Sequence, residues 1–252
     1  MQEKLSSIRE RFTHTPTEGL QELILLYQED ERAGVKLEIE KARKRLLQLQ
    51  KEKERTAALW KYEHQYREYR SICGIDEVGR GPLAGPVVAG AVILPADCGI
   101  LYINDSKKLS EKKREELYKE IMEQAVAVGI GMAAPQRIDE INILNATYEA
   151  MREAISKLSV PPDILLNDAV TIPGINCRQV PIIKGDAKSI SIGAASIIAK
   201  VTRDRMMVEY DGIFPEYGFA SNKGYGSAEH IRGLKEYGPT PIHRRSFIEN
   251  FI

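Results

Sequence analysis

Apolar positions recur at two different spacings along this chain, and the spacing changes near Ser71. Before that point Ile39, Ala42, Leu46 and Leu49 fall three and four residues apart, the period of one helix face, until Lys53 and Thr56 interrupt it. The interruption predicts short helices joined by turns and not a sustained coiled coil. Beyond Ser71 short apolar runs alternate with amphipathic stretches. Strands are predicted over 72–76, 87–94, 125–132, 164–166 and 180–183, and helices over 110–124, 138–158, 187–207 and 227–237. Ser110 is a candidate N-cap for the first of these helices, and Pro161-Pro162 stops the second. The alternation predicts an α/β domain over 71–210, with helices against a central sheet. A charged helical extension over 1–70 precedes it, and a helical tail over 211–252 with glycine-punctuated loops follows.

Composition narrows the class without naming a substrate. With 252 residues, 43% of them hydrophobic, the chain can bury a real core. No run of about 18 apolar residues is present to span a membrane, and the first residues are polar and charged, unlike a signal peptide. A cytoplasmic protein is therefore expected, and with no strong interface signature a monomer. Cys73, Cys98 and Cys177 are odd in number and widely spaced, which suits reduced, packed thiols better than disulfides or zinc. The 36 basic residues balance the 36 acidic ones, so a nucleic-acid partner would be held by local patches and not by the net field. One such patch is the run through Lys41, Arg43, Lys44, Arg45, Lys51, Lys53 and Arg55, which reads either as a phosphate-binding surface or as a solvated helix face. His230 and His243 read as surface or packing residues.

Candidate chemistry lies where the predicted strands end. Asp76 and Glu77 close an apolar strand and run straight into Gly79-Arg80-Gly81, a stretch whose backbone can approach a sugar-phosphate chain while the arginine fork meets a phosphate. Asp168 leaves another strand, and Asp186 precedes a helix, where an N-cap role is the simpler reading. Four such acids at one sheet edge can share a site, and clustered carboxylates repel one another unless divalent cations stabilise them. Two ions about 3.5–4 Å apart would suit an in-line phosphoryl displacement, one activating water and the other stabilising the leaving oxygen. Asp76 and Glu77 alternate faces along their strand, so they converge only if it ends or bulges there, a distortion that Gly74 and Gly79 permit. Lys184, Lys188 and Lys200 add positive charge, although Lys200 and Asp204 are also spaced for an ordinary helix pair. A P-loop reading of Gly74 and Gly79 fails, because Arg80 and Gly81 stand where lysine and serine or threonine are needed.

The segment from Gly74 to Val88, Gly-Ile-Asp-Glu-Val-Gly-Arg-Gly-Pro-Leu-Ala-Gly-Pro-Val-Val, resembles the opening signature of the bacterial type 2 ribonucleases H. Asn104-Asp105-Ser106-Lys107-Lys108-Leu109, Lys184-Gly185-Asp186-Ala187, the block from Ala195 to Asp204 and Gly224-Tyr225-Gly226-Ser227 resemble later blocks of that family in the same order. The resemblance implies a ribonuclease H-like mixed sheet flanked by helices. It also implies a metal-dependent enzyme, using Mg²⁺ or Mn²⁺, that cuts the RNA strand of RNA–DNA hybrids and cuts 5′ to single ribonucleotides in duplex DNA. Carried over by position, the catalytic, metal-holding quartet is Asp76, Glu77, Asp168 and Asp186. Gly79, Arg80 and Gly81 would read the 2′-hydroxyl at the RNA–DNA junction, and Tyr225 would stack on the adjoining deoxyribose; Lys184 and Lys200, for the positive charge they add, are further candidate substrate contacts. Ser227 replaces a threonine common at its position, and Asn167 stands where the family often has an apolar or acidic residue. Two other readings remain open: another nuclease of the same superfamily acting on DNA, and a hybrid-binding protein without catalysis.

Overall fold

The computed structural model describes residues 3–96 and 98–252. The chain divides into two compact units, Met1–Ala58 and Leu59–Ile252. In the first, α1 (Leu5–His14), α2 (Leu20–Tyr27) and α3 (Ala33–Leu59) bury a core of Ile8, Phe12, Leu20, Ile24 and Tyr27 against Val35, Ile39 and Ala42. The short helices expected here are corrected by α3, which runs 27 residues straight through Lys53 and Thr56. No glycine or proline follows Gly34 within it, and straight-chain Leu, Lys, Glu, Gln and Arg favour continuation. Lys53 is exposed and Thr56 is itself buried, so these polar residues interrupt the apolar pattern without ending the helix.

The second unit opens with α4 (Lys61–Gln65) and builds a five-stranded mixed sheet in the order β3-β2-β1-β4-β5. Its strands are β1 (Ile72–Val78), β2 (Val87–Ile93), β3 (Ala127–Ala133), β4 (Ile164–Asp168) and β5 (Arg178–Ile182). β1 pairs antiparallel with β2 and parallel with β4, while β2–β3 is antiparallel and β4–β5 parallel. The expected mixed sheet with flanking helices is thus what forms. β2 is buried at every position: Val87, Ala89, Ala91 and Ile93 enter the core beneath α6 (Pro135–Ser156), and Val92 enters the one beneath α5 (Glu111–Gln124) and α7 (Ile190–Ile213). Such a strand reads as a continuous apolar run because helices cover both of its faces.

Local chemistry sets the helix boundaries. Ser110 accepts from the Lys113 N–H at 3.2 Å, the expected cap of α5. α6 starts earlier than expected and kinks at Asn142 (φ 67°), whose side-chain oxygen accepts from Leu144 and Asn145 and so caps the second half. α7 is capped by Ser189, which accepts from Ile192 N–H at 3.2 Å. The N-cap reading of Asp186 is therefore wrong, because that residue sits in a separate 3₁₀ turn, Gly185–Ala187. α7 crosses β1 almost in backbone contact: a Cβ on Gly74 would lie 2.1 Å from the Ser191 carbonyl carbon. The chain finishes with α8 (Phe219–Asn222), α9 (Ala228–Tyr237) and α10 (Arg245–Ile248), packed around Met207, Tyr217, Phe219, Leu234 and Ile248.

Candidate active site

Parallel pairing of β1 with β4 sets the ends of both strands side by side, with Ile75 opposite Asn167, so Asp76 and Asp168 come next on neighbouring strands. The turn after β5 adds Asp186, and Gly185 N–H donates to Asp168 Oδ1 at 2.7 Å, fastening that turn to β4. Asp76 is buried; burial first, then the nearby Glu77 and Asp168, hold its carboxyl well above the usual carboxylate range, against the pull of hydrogen bonds from Ser196 and from Glu77 N–H. Burial also raises Glu77, with Asp168 adding to it and Arg80 opposing it. Asp186 is raised by burial, then by Asp105 and Asp168. All four acids thus act on one another through Asp168. The bulge that would bring Asp76 and Glu77 together is absent: β1 keeps register through Asp76↔Gly90, Glu77↔Ala89 and Val78↔Val88. They leave opposite faces of the strand. Accordingly, no three Asp, Glu, His or Cys side chains among the described residues form a ready metal cage.

Directly after β1 the chain turns at Gly79 (φ +90°), where a Cβ would come within 2.3 Å of Arg203 Nε. Only glycine tolerates both that backbone and that contact. Two fully buried arginines support the loop. Arg244 donates to the carbonyls of Gly79, Arg80 (2.9 Å) and Gly85 (3.0 and 2.8 Å), and Arg203 donates to those of Ala84 (3.0 Å), Pro86 (2.9 Å) and Lys223 (2.9 Å). Neither makes an ion pair among the described residues, and burial draws Arg203 down to about 10 and Arg244 to about 9. With these carbonyls engaged, the loop turns the exposed Arg80 side chain outward, where its Nη1 lies 3.4 Å from Glu77 Oε1. Tyr225, 44% exposed, brings its ring edge 3.8 Å from where a Cβ on Gly81 would stand.

The model of the family described as ribonuclease HII matches residues 73–250, and that of the ribonuclease HII N-terminal domain matches residues 4–67. The chain belongs to the ribonuclease HII family. It is similar to the ribonuclease HII of Lachnoclostridium phytofermentans, 70% identical over 224 residues (89% of this chain, 88% of the relative). It is likewise similar to that of Clostridioides difficile, 52% identical over 255 residues and the whole of both chains. Among solved structures, ribonuclease H2 from Pyrococcus horikoshii OT3 superposes with a TM-score of 0.59 at 29% identity, covering 72% of this chain and 98% of that one. Ribonucleases HII are ribonuclease H enzymes and cleave the RNA of RNA–DNA hybrids.

Within this family member the sequence-derived residues fall into two sets. Asp76, Glu77, Asp168, Asp186, Gly79, Arg80, Gly81 and Tyr225 gather around the carboxyl end of β1. Lys184 is exposed beside Asp186 in a left-handed turn (φ 57°), whereas Lys200 is directed to Asp204 at 2.7 Å in a network with Arg114. Sequence reasoning gave no role to Asp105 and Lys107, which act on Asp186, Lys107 also easing Glu77. It also missed the chain Asp76–Ser196–Ser106, whose hydroxyls lie 2.9 Å apart. The block 104–109 carried the signal for Asp105, Ser106 and Lys107. The block 195–204 likewise contained Ser196 and Arg203, whereas Arg244 gave no signal; of the two readings of His230 and His243, surface or packing, packing is the one that forms, a buried pair with Nε2 to Nε2 at 2.9 Å. Oxygen-only donors, with Asp76, Glu77 and Asp186 raised first by burial and then by neighbouring acids, suit a hard divalent cation, which would relieve that repulsion.

Proposed function

We propose that this chain is a divalent-metal-dependent endoribonuclease that cuts RNA–DNA hybrids and cuts 5′ to a single ribonucleotide in duplex DNA, leaving 3′-hydroxyl and 5′-phosphate ends. The supporting observation is the placement of four mutually acting carboxyls beside a loop whose carbonyls are tied back, with an exposed tyrosine against Gly81. Asp76, Glu77, Asp168 and Asp186 would hold Mg²⁺ or Mn²⁺, which when bound supplies activation of water and neutralisation of the leaving oxygen. Asp76 is fixed by Ser196 and the Glu77 N–H, and Asp168 by Gly185, so little reorganisation is left for the reacting state.

Gly79, Arg80 and Gly81 read the 2′-hydroxyl through backbone that a side chain would obstruct, and Arg80 takes a phosphate. Tyr225 stacks on the deoxyribose next to the ribonucleotide, and its aromatic face fits that role without base specificity. Lys184 contacts the backbone from the turn beside Asp186, while Lys200 is engaged within α7 by Asp204, which also meets Arg114 of α5, and so reaches substrate only indirectly. In this reading residues 71–210 form the catalytic domain and 211–252 complete the substrate site through Tyr225.

The test is a labelled DNA duplex with one ribonucleotide, incubated with Mg²⁺ or Mn²⁺ beside an all-DNA duplex and an RNA–DNA hybrid. Cleavage 5′ to the ribonucleotide with all-DNA intact is expected, and Asp76→Asn should abolish it while the protein stays folded. Cutting of the all-DNA duplex would point to another nuclease of the superfamily. Metal-independent binding without cutting would favour a hybrid-binding protein.

A further inference from the structure

His230 on α9 and His243 in the turn before α10 face each other in a pocket walled by Tyr217 and Phe219, whose rings lie 5.0–6.1 Å from theirs. Their partners fix every proton. His230 Nδ1 lies 2.9 Å from the Tyr225 carbonyl, which only accepts, so Nδ1 carries the hydrogen and Nε2 is an acceptor. His243 Nδ1 lies 2.9 Å from the Thr240 N–H, which only donates, so His243 carries its hydrogen on Nε2 and donates it to His230. One direction of donation therefore runs Thr240 N–H, His243, His230, Tyr225 carbonyl. At one end Tyr225 presents its ring to Gly81; at the other, Arg244 follows His243 directly and holds the Gly79 and Arg80 carbonyls. Leu83 N–H donates to the Gly224 carbonyl and Arg244 N–H to the Leu83 carbonyl, so both ends border the same loop.

We propose that His230 and His243 are positioning residues for substrate reading: as one neutral, singly directed relay they lock the Tyr225 backbone to the turn carrying Arg244, and so hold the Tyr225 ring and the Gly79–Gly81 loop in fixed relation. The inference rests on the reading of Tyr225 and that loop given above. The relay touches no reacting atom, so its loss acts on binding of the ribonucleotide junction and not on the chemical step. Burial disfavours a charge on either ring; at His243, His230 and Arg245 add to that against the Thr240 backbone, and with Nε2 of one ring donating to Nε2 of the other there is no place for a second proton between them.

The experiment measures kcat and KM on the single-ribonucleotide duplex for His230→Asn, His243→Phe, His243→Gln and Tyr225→Ala, with folding followed by circular dichroism. Tyr225→Ala and His243→Phe are expected to raise KM roughly tenfold at nearly unchanged kcat. His243→Gln, which keeps a donor toward His230, should recover most of that loss. Combining His230→Asn with Tyr225→Ala should be no worse than Tyr225→Ala alone, the non-additivity of residues acting through one another. Wild-type KM in His230→Asn and His243→Phe, with Tyr225→Ala impaired, would overturn the relay and leave the reading of Tyr225 standing. Wild-type KM in Tyr225→Ala would overturn both. If the histidine variants fail to fold, imidazole ¹⁵N spectra of the unaltered protein decide. His230 as the Nδ1–H tautomer with His243 as Nε2–H supports the relay, and any other pairing overturns it.

Discussion

Acidification should expose the histidine pair as a specific loss of stability. Burial first, then the neighbouring His230, push His243 down from 6.5 to about 4, and burial lowers His230 in the same direction. The native state thus keeps His243 neutral while the unfolded chain takes up a proton between those values. Stability from this group is complete above about pH 6.5 and is lost as pH falls toward 4. At 1.36 kcal/mol for each pH unit, the gap amounts to roughly 3 kcal/mol, and the ring is only 2% exposed, so solvent screening takes little from it. Asp76, Glu77 and Asp186 act with the opposite sign, because their raised carboxyls bind protons in the native state before they do in the unfolded one. The wild type must therefore be compared with His243→Gln, which removes the titrating ring alone. Urea unfolding followed by the fluorescence of Trp60, the single tryptophan and a residue of the 59–252 unit, gives the free energy at pH 7 and pH 4. The advantage of the wild type should shrink by about 3 kcal/mol between them. An advantage independent of pH would refute the neutral pair.

Two further substitutions test the supports of the site. Gly74→Ala places a methyl 2.1 Å from backbone of α7, which must shift, so a loss of about 1–3 kcal/mol in thermal or urea unfolding is expected; unchanged stability would mean that α7 does not bear on β1 so closely. Arg244→Lys keeps the charge but cannot serve the carbonyls of Gly79, Arg80 and Gly85 at once, so KM for the single-ribonucleotide duplex should rise about tenfold. Retained KM would show that charge alone is what the loop needs.

What the sequence disclosed was whatever rests on neighbours within a few residues. The strand preceding Asp76 and Glu77, the Ser110 cap and the five strands followed from apolar runs and local punctuation, with β3 and β5 displaced by about two residues. Strand ends also pointed to the four acids. The unbroken register of β1 through Glu77 did not follow, since glycines permit a bulge without requiring one. The length of α3 is not legible, because a break in the apolar pattern does not tell a broken helix from one whose face turns polar, and the cap of α7 falls on Ser189, three residues beyond Asp186. The roles of Arg203, Arg244 and the histidine pair were illegible for a different reason. The partners of Arg244 are backbone carbonyls 159 to 165 residues away, and a carbonyl has no residue identity for a sequence to reveal.

The two unpaired guanidinium groups beneath the substrate loop also bear on how the protein would respond to ionic strength. Exposed lysines attract a polyanion through water, and mobile ions weaken that attraction beyond a Debye length of roughly 8 Å at physiological salt. Arg203 and Arg244 are enclosed by protein and make no ion pair among the described residues, with Asp204 and Asp139 acting on them only from beyond contact, so their field reaches the loop through a medium that dissolved ions do not enter. If the proposed reading of Gly79–Gly81 holds, salt strips away the peripheral grip on the duplex first, leaving the positive ground under that loop as the most salt-resistant element of recognition.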